Sequence, residues 1–149
     1  MLARKKPSIL FWVISVALLL WGIGGASIYV AYFLETPDEF ARSAESAENR
    51  EAYAQYVSSI PAWATGVGIV AAIARLLAGL CLLLRRGWAL PLFIVSLLFF
   101  SIALYRAFVV ANAAAVMSGS HIGVQIVFLA LSVFAIWFAG KKKSKGVLS

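Results

Sequence analysis

Four long apolar runs, at residues 8–34, 62–84, 88–110 and 122–139, limit what this chain can fold into more than any other feature. Hydrocarbon about 30 Å thick is crossed by roughly 20 residues of α-helix at 1.5 Å per residue, and every backbone N–H and C=O inside it must be bonded within the segment. Each run meets that requirement. The predicted fold is therefore all-α, an integral membrane four-helix bundle forming one domain over residues 1–149. Composition agrees, since 63% hydrophobic and 13% charged residues lie well outside the soluble average of about 45–50% apolar and about 25% charged.

Arg4, Lys5 and Lys6 ahead of the first run look like the start of a secretory signal. The apolar part of such a signal is about 7–15 residues long and ends at small residues. This run is longer, and Tyr29, Tyr32 and Phe33 occupy its far end, so an uncleaved anchor is expected. Lys and Arg in short loops are retained on the cytoplasmic side. Arg4, Lys5, Lys6, Arg85, Arg86, Lys141, Lys142, Lys143 and Lys145 lie in the two tails and the second loop, with no acid among them. All six acids, Glu35, Asp38, Glu39, Glu45, Glu48 and Glu51, lie in the first loop, residues 35–61. Both termini, including a basic tail at 140–149, are thus predicted to be cytoplasmic, and the first loop extracytoplasmic. The +7 net charge punctuates apolar runs instead of forming one exposed face, which argues against nucleic acid and for anionic phospholipid headgroups.

The first loop carries its own helix signals. Thr36-Pro37-Asp38-Glu39 reads as a capping box with proline at the first helical position. Tyr53, Tyr56, Val57 and Ile60 then gather on one side of a second helical stretch. The expectation is a short amphipathic segment resting on the membrane interface or on the outer mouth of the bundle, with docking of an extracytoplasmic partner as the alternative.

Two arginines fall inside the apolar runs. Arg75 lies near mid-bilayer, where insertion costs about 2.5–3.5 kcal/mol. Ala64, Gly68 and Ala72, spaced by four, share its helix side, so it should face the bundle interior; Gly22 and Ala26 form a second small-residue contact on the first helix. Arg106 is shallower, near the outer end of the third run, and the leaning of helical side chains toward their own N-termini suggests a common depth for the two guanidinium groups. The spans contain no acid, which leaves Glu35 as the nearest candidate counter-ion. Tyr29, Tyr32, Thr65, Tyr105, Asn112, His121 and Gln125 cluster toward the same end. Either the arginines are compensated within the chain, or they form a site for an anion, a lipid headgroup or a partner's acidic residue, with Arg75, Arg106, Glu35, Tyr29, Tyr32, Tyr105 and Gln125 as its candidate members.

Other chemistry lacks its residues. One histidine, His121, and one cysteine, Cys81, cannot supply bis-histidine haem ligation or paired-thiol exchange. No metal cluster, phosphate loop or catalytic triad is evident, so no cofactor, metal or catalytic residue is expected. Proton-coupled cation export needs a carboxylate in the membrane, and this chain has none.

The stretch from Pro61 to Leu98, above all PAWAT and RRGWALPLF, resembles a group of small four-helix bacterial inner-membrane proteins of unknown function that often carry the label "sugar transporter". The resemblance implies a bacterial inner-membrane location and carries over no functional residue. In that group the position of Arg75 is usually small or apolar and the third helix ends without a Tyr–Arg pair, so this chain departs where its polar chemistry is concentrated. The leading expectation is a non-enzymatic accessory or scaffold subunit that associates with another membrane protein or with itself. The alternatives are an oligomeric small-solute (anion) transporter and a lipid-binding protein using Arg75 and Arg106.

Overall fold

The computed structural model describes residues 5–149; Arg4 of the N-terminal basic cluster lies outside the described residues. Four helices are long and apolar enough to cross a membrane, the property expected of a multi-pass membrane protein. They are α1 (Ile9–Leu34), α4 (Ala62–Leu83), α5 (Ala89–Tyr105) with its continuation to Val110, and α6 (Gly119–Ser144). Between the first two lie α2 (Pro37–Ala44) and α3 (Arg50–Ser58), and no strand occurs among the described residues.

The helices pack in the ring order α1, α4, α5, α6. The contact of α1 with α4 depends on missing side chains: a Cβ on Gly22 would sit 3.2 Å from Leu76 Cα, and one on Gly79 3.0 Å from Leu19 Cα. Ala64, Gly68 and Ala72 are buried on the inner side of α4, and Gly22 on that of α1, as the spacing suggests, while Ala26 is half-buried. Across the next contact, Ser96 Oγ of α5 donates to the Ala71 carbonyl of α4 at 2.8 Å. The ring closes where α1 meets α6 through two aromatic pairs, Phe11 with Phe138 (6.0 Å between centroids) and Trp21 with Phe128 (5.6 Å).

Two segments differ from the sequence expectation. α6 extends beyond 122–139 at both ends. Ser118 caps its start by accepting from the His121 N–H, and Lys141–Lys143 continue its last turn, where cations oppose the negative end of the helix dipole. Charge ends an apolar run without ending a helix. The third span, expected as one helix over 88–110, changes at Arg106 to a π-helical turn, Arg106–Val110, whose Ala111 N–H bonds the Arg106 carbonyl. Asn112, left-handed at φ 49°, then turns the chain.

The basic end is also less plain than a solvated tail over 140–149. After α6 the chain reverses at Gly146 (φ 71°), and Val147 and Leu148 are buried against Phe11, Leu82, Ala89 and Phe138. Arg85 donates to the carbonyls of Val147 (3.2 Å) and Lys5 (2.9 Å), so residues near both chain ends and the α4–α5 turn meet at one end of the bundle. Cys81 packs half-buried against this core, consistent with a packing role.

Replacing Gly79 by valine should force α1 from α4 and cost about 1–3 kcal/mol, read as a lower melting temperature in detergent. Gly24→Ala, where a Cβ meets only open space, should leave it unchanged.

Candidate functional site

The site is assembled from the end of the bundle opposite the basic one, and it starts with the capping box. Thr36 Oγ1 accepts from the Glu39 N–H, while the Glu39 carboxylate accepts from the Thr36 N–H and hydroxyl, both at 2.9 Å. Those bonds hold the Glu39 carboxyl below its ordinary value of 4.5. A depressed carboxylate stabilises the fold above its ordinary value and loses that effect as pH falls through the folded value. The box is therefore intact at neutral pH and opens in acid.

The apolar sides of α2 and α3 cover the bundle mouth. Ala41, Tyr53, Ala54 and Val57 are buried with Ala113 and Met117, and Phe40 stacks on Tyr53. Burial pushes the Tyr53 hydroxyl above its ordinary range. The expected stripe of Tyr53, Tyr56, Val57 and Ile60 thus lies over the mouth of the bundle opposite the basic end, although the helix ends at Ser58 and Ile60 follows it.

One polar clamp fixes this cap. Glu45, just after α2, has a fully buried side chain: one carboxylate oxygen accepts from the Ser118 N–H at 3.0 Å and the other lies against His121 Nδ1. Ser118 is the N-cap of α6, so the carboxylate sits at the positive end of that helix. His121, grouped by sequence with the polar residues at this end, is placed by the fold against the Glu45 carboxylate. Tyr53 packs on its other side at 5.2 Å.

Beneath the cap, α1 and α6 part above the Trp21–Phe128 contact and leave a cavity of about 570 Å³. Ile28, Tyr29 and Tyr32 line it from α1, Phe100 and Leu104 from α5, His121, Val124 and Gln125 from α6, and Tyr53 and Tyr56 from the cap. Ile28 and Val124 are 46% and 51% exposed, so the cavity reaches the lipid-facing perimeter between these helices. Arg106 also lines it, with its guanidinium 5.7 Å from the Tyr56 ring centre. Burial raises the Tyr56 hydroxyl, and the neighbouring Arg106 charge opposes that shift.

Arg75 lies deeper. It is 3% exposed, and its guanidinium carbon faces Trp21 at 4.4 Å and Phe100 and Phe128 at 5.2 Å each. Cation–π contacts of this kind contribute about 0.5–1 kcal/mol each when exposed and about 2 or more when desolvated, enough to offset much of the insertion cost. They accept no N–H hydrogen bond, and Arg75 Nε has no partner. A void of about 100 Å³ adjoins the guanidinium, and its lining shares Ile28, Tyr29, Phe100 and Gln125 with the larger cavity. Gly68 makes a notch for Tyr29, whose hydroxyl would lie 1.9 Å from any Cβ placed there, and Gly25 leaves room for Arg75 Nη1.

Of the residues expected at the site, Tyr29, Tyr32, Arg106 and Gln125 line the outer cavity and Arg75 the inner void. Tyr105 is 62% exposed and faces away. Glu35 is half-buried and pairs with neither arginine; among the described residues the one carboxylate within ion-pair distance of a basic side chain is Glu45, beside His121. The arginines do not share a level. Arg75 sits at Phe100, and Arg106 is six residues farther along the same helical path, roughly 9 Å at 1.5 Å per residue. Sequence spacing also missed Trp21, Phe100 and Phe128 as the arginine's surroundings, because three different helices contribute them. Compared with known proteins, the chain matches no family model, no curated protein and no solved structure.

Glu45→Ala removes a charge-assisted bond of about 1.5–3 kcal/mol. Amide exchange in α3 and the first turn of α6 should rise about tenfold or more, whereas exposed Glu48→Ala should leave it unchanged.

Proposed function

We infer that this chain is a non-enzymatic membrane protein that holds a lipid-like amphiphile in the cavity between α1 and α6. The observation that carries this reading is the cavity's lateral edge at Ile28 and Val124, combined with a mostly apolar and aromatic wall that has polar groups at both ends: Arg106, Tyr56 and His121 under the cap, and Arg75 at the adjoining inner void. Its volume falls within the roughly 300–1,000 Å³ of small-molecule sites, which are mostly apolar with a few placed polar groups.

Two other roles find less support. A scaffold subunit would present small-residue faces to a partner, but Gly22, Ala64, Gly68 and Ala72 are buried inside this bundle. A solute pathway would continue toward the basic end, where Phe11, Leu82, Phe93 and Phe138 fill the core instead. The charge asymmetry supports an orientation in which the basic end faces the cytoplasm and the cap lies outside, and the resemblance of Pro61–Leu98 adds a bacterial inner membrane as the setting, so the amphiphile would come from the outer leaflet.

Native mass spectrometry of the protein released from mild detergent should show one retained lipid-sized adduct. Leu104→Trp, which fills the cavity, should reduce its occupancy at least fivefold; equal occupancy in the variant would remove the cavity from the account. For orientation, a cysteine at Ser46 in a Cys81→Ser background should react with an impermeant thiol reagent on intact cells, and one at Ser144 should react only after permeabilisation.

A further inference from the structure

We propose that the inner void is a head-group pocket in which Arg75 binds the carboxylate of a single-chain amphiphile whose chain lies in the outer cavity. The proposal rests on the lipid-binding reading and deepens it by assigning the ligand's charge, head group and direction.

Arg75 supplies the reason. A guanidinium carries five N–H donors in a planar fork and no acceptor. Here it is 97% buried, by its 3% exposure, and ringed by aromatic faces that stabilise its charge without accepting its protons. Its Nε is enclosed and has no partner, its terminal nitrogens are the donors on the side of the adjoining void, and no acid of the chain reaches them. Glu45 is committed to Ser118 and His121, and Glu35 pairs with neither arginine. A buried cation with free donors favours an anion that fits the fork in two parallel bonds, the geometry of a carboxylate.

Size and connection select the kind of carboxylate. The void of about 100 Å³ is less than a fifth of the larger cavity's about 570 Å³. That is room for a carboxylate and its first methylenes, and it is cramped for a phosphodiester bearing substituents on both sides. Tyr29 and Gln125 line both spaces and so stand at the boundary between them, which a ligand anchored at Arg75 would have to cross. Above them the chain meets Phe100, Leu104 and Val124 and can leave toward lipid. A free small acid would use none of this apolar wall. The glycines keep the pocket open, because a Cβ on Gly25 would lie 3.0 Å from Arg75 Nη1 and one on Gly68 would displace the Tyr29 phenol.

Trp21, 4.4 Å from the guanidinium carbon, provides a local probe. Trp12, Trp63, Trp88 and Trp137 are exposed and can be replaced by phenylalanine to leave Trp21 as the sole tryptophan. At alkaline pH and matched mole fraction in detergent, a fatty acid brominated beside its carboxylate should quench Trp21 more than one brominated at the chain end. Oleate should bind at least tenfold tighter than methyl oleate. Arg75→Gln should abolish that preference, and Arg75→Lys should restore part of it; if the variants do not fold, the acid–ester comparison on the Trp21-only chain still decides. Equal binding of acid and ester would overturn the assignment to Arg75 while leaving the outer-cavity reading intact, and no binding of either would overturn both. Stronger quenching from the chain-end bromine would reverse the direction of the ligand and contradict the proposal. Equally tight competition by acetate or inorganic phosphate would indicate a free-anion site, and equally tight competition by phosphatidylglycerol a phospholipid site; either result would overturn it.

Discussion

A permanent positive charge inside an apolar bundle has to be compensated by whatever side chains can reach it, and much of the outer half of this molecule is arranged around that requirement at Arg75. Three helices bring Trp21, Phe100 and Phe128 to the guanidinium. The Trp21–Phe128 pair is also one of the two aromatic contacts between α1 and α6, so the charge's surroundings are part of the closure of the ring, and residues of both helices line the cavity beyond it.

The polar groups at the mouth follow a different logic. Glu45 is buried, with one carboxylate oxygen accepting from the amide at the start of α6 and the other placed beside His121 without a hydrogen bond. A carboxylate in that position gains from the helix dipole and from a charge-assisted bond, and it ties the α2–α3 cap to the last helix. The cap closes the cavity from above while its lateral edge at Ile28 and Val124 stays at the perimeter.

Much of this architecture was legible in the sequence because it depends on local signals. Hydropathy over about 20 residues places the four spans to within a residue or two, except at the ends of α6, where capping by Ser118 and continuation through Lys141–Lys143 are invisible to an apolar count. The Thr36–Glu39 box announces α2, and the fourfold spacing of Ala64, Gly68 and Ala72 correctly turns Arg75 inward. What escaped requires knowing which helices meet. The aromatic surroundings of Arg75, the Glu45–His121 pair and the burial of Val147 and Leu148 all join residues far apart in the chain. Tyr105 was grouped with the polar cluster by its sequence neighbour Arg106, but adjacent helical residues point about 100° apart, and it faces outward.

Occupation of the space between α1 and α6 by lipid is tested most directly by site-specific photo-crosslinking in native membranes. A photoreactive phenylalanine at Leu104, inside the cavity, should yield an adduct with the mass of a lipid, and the same probe at exposed Leu98 on α5 should yield only the diffuse mixture of bulk lipid. A discrete adduct to another polypeptide from Leu104, or a lipid mixture indistinguishable from that at Leu98, would contradict it.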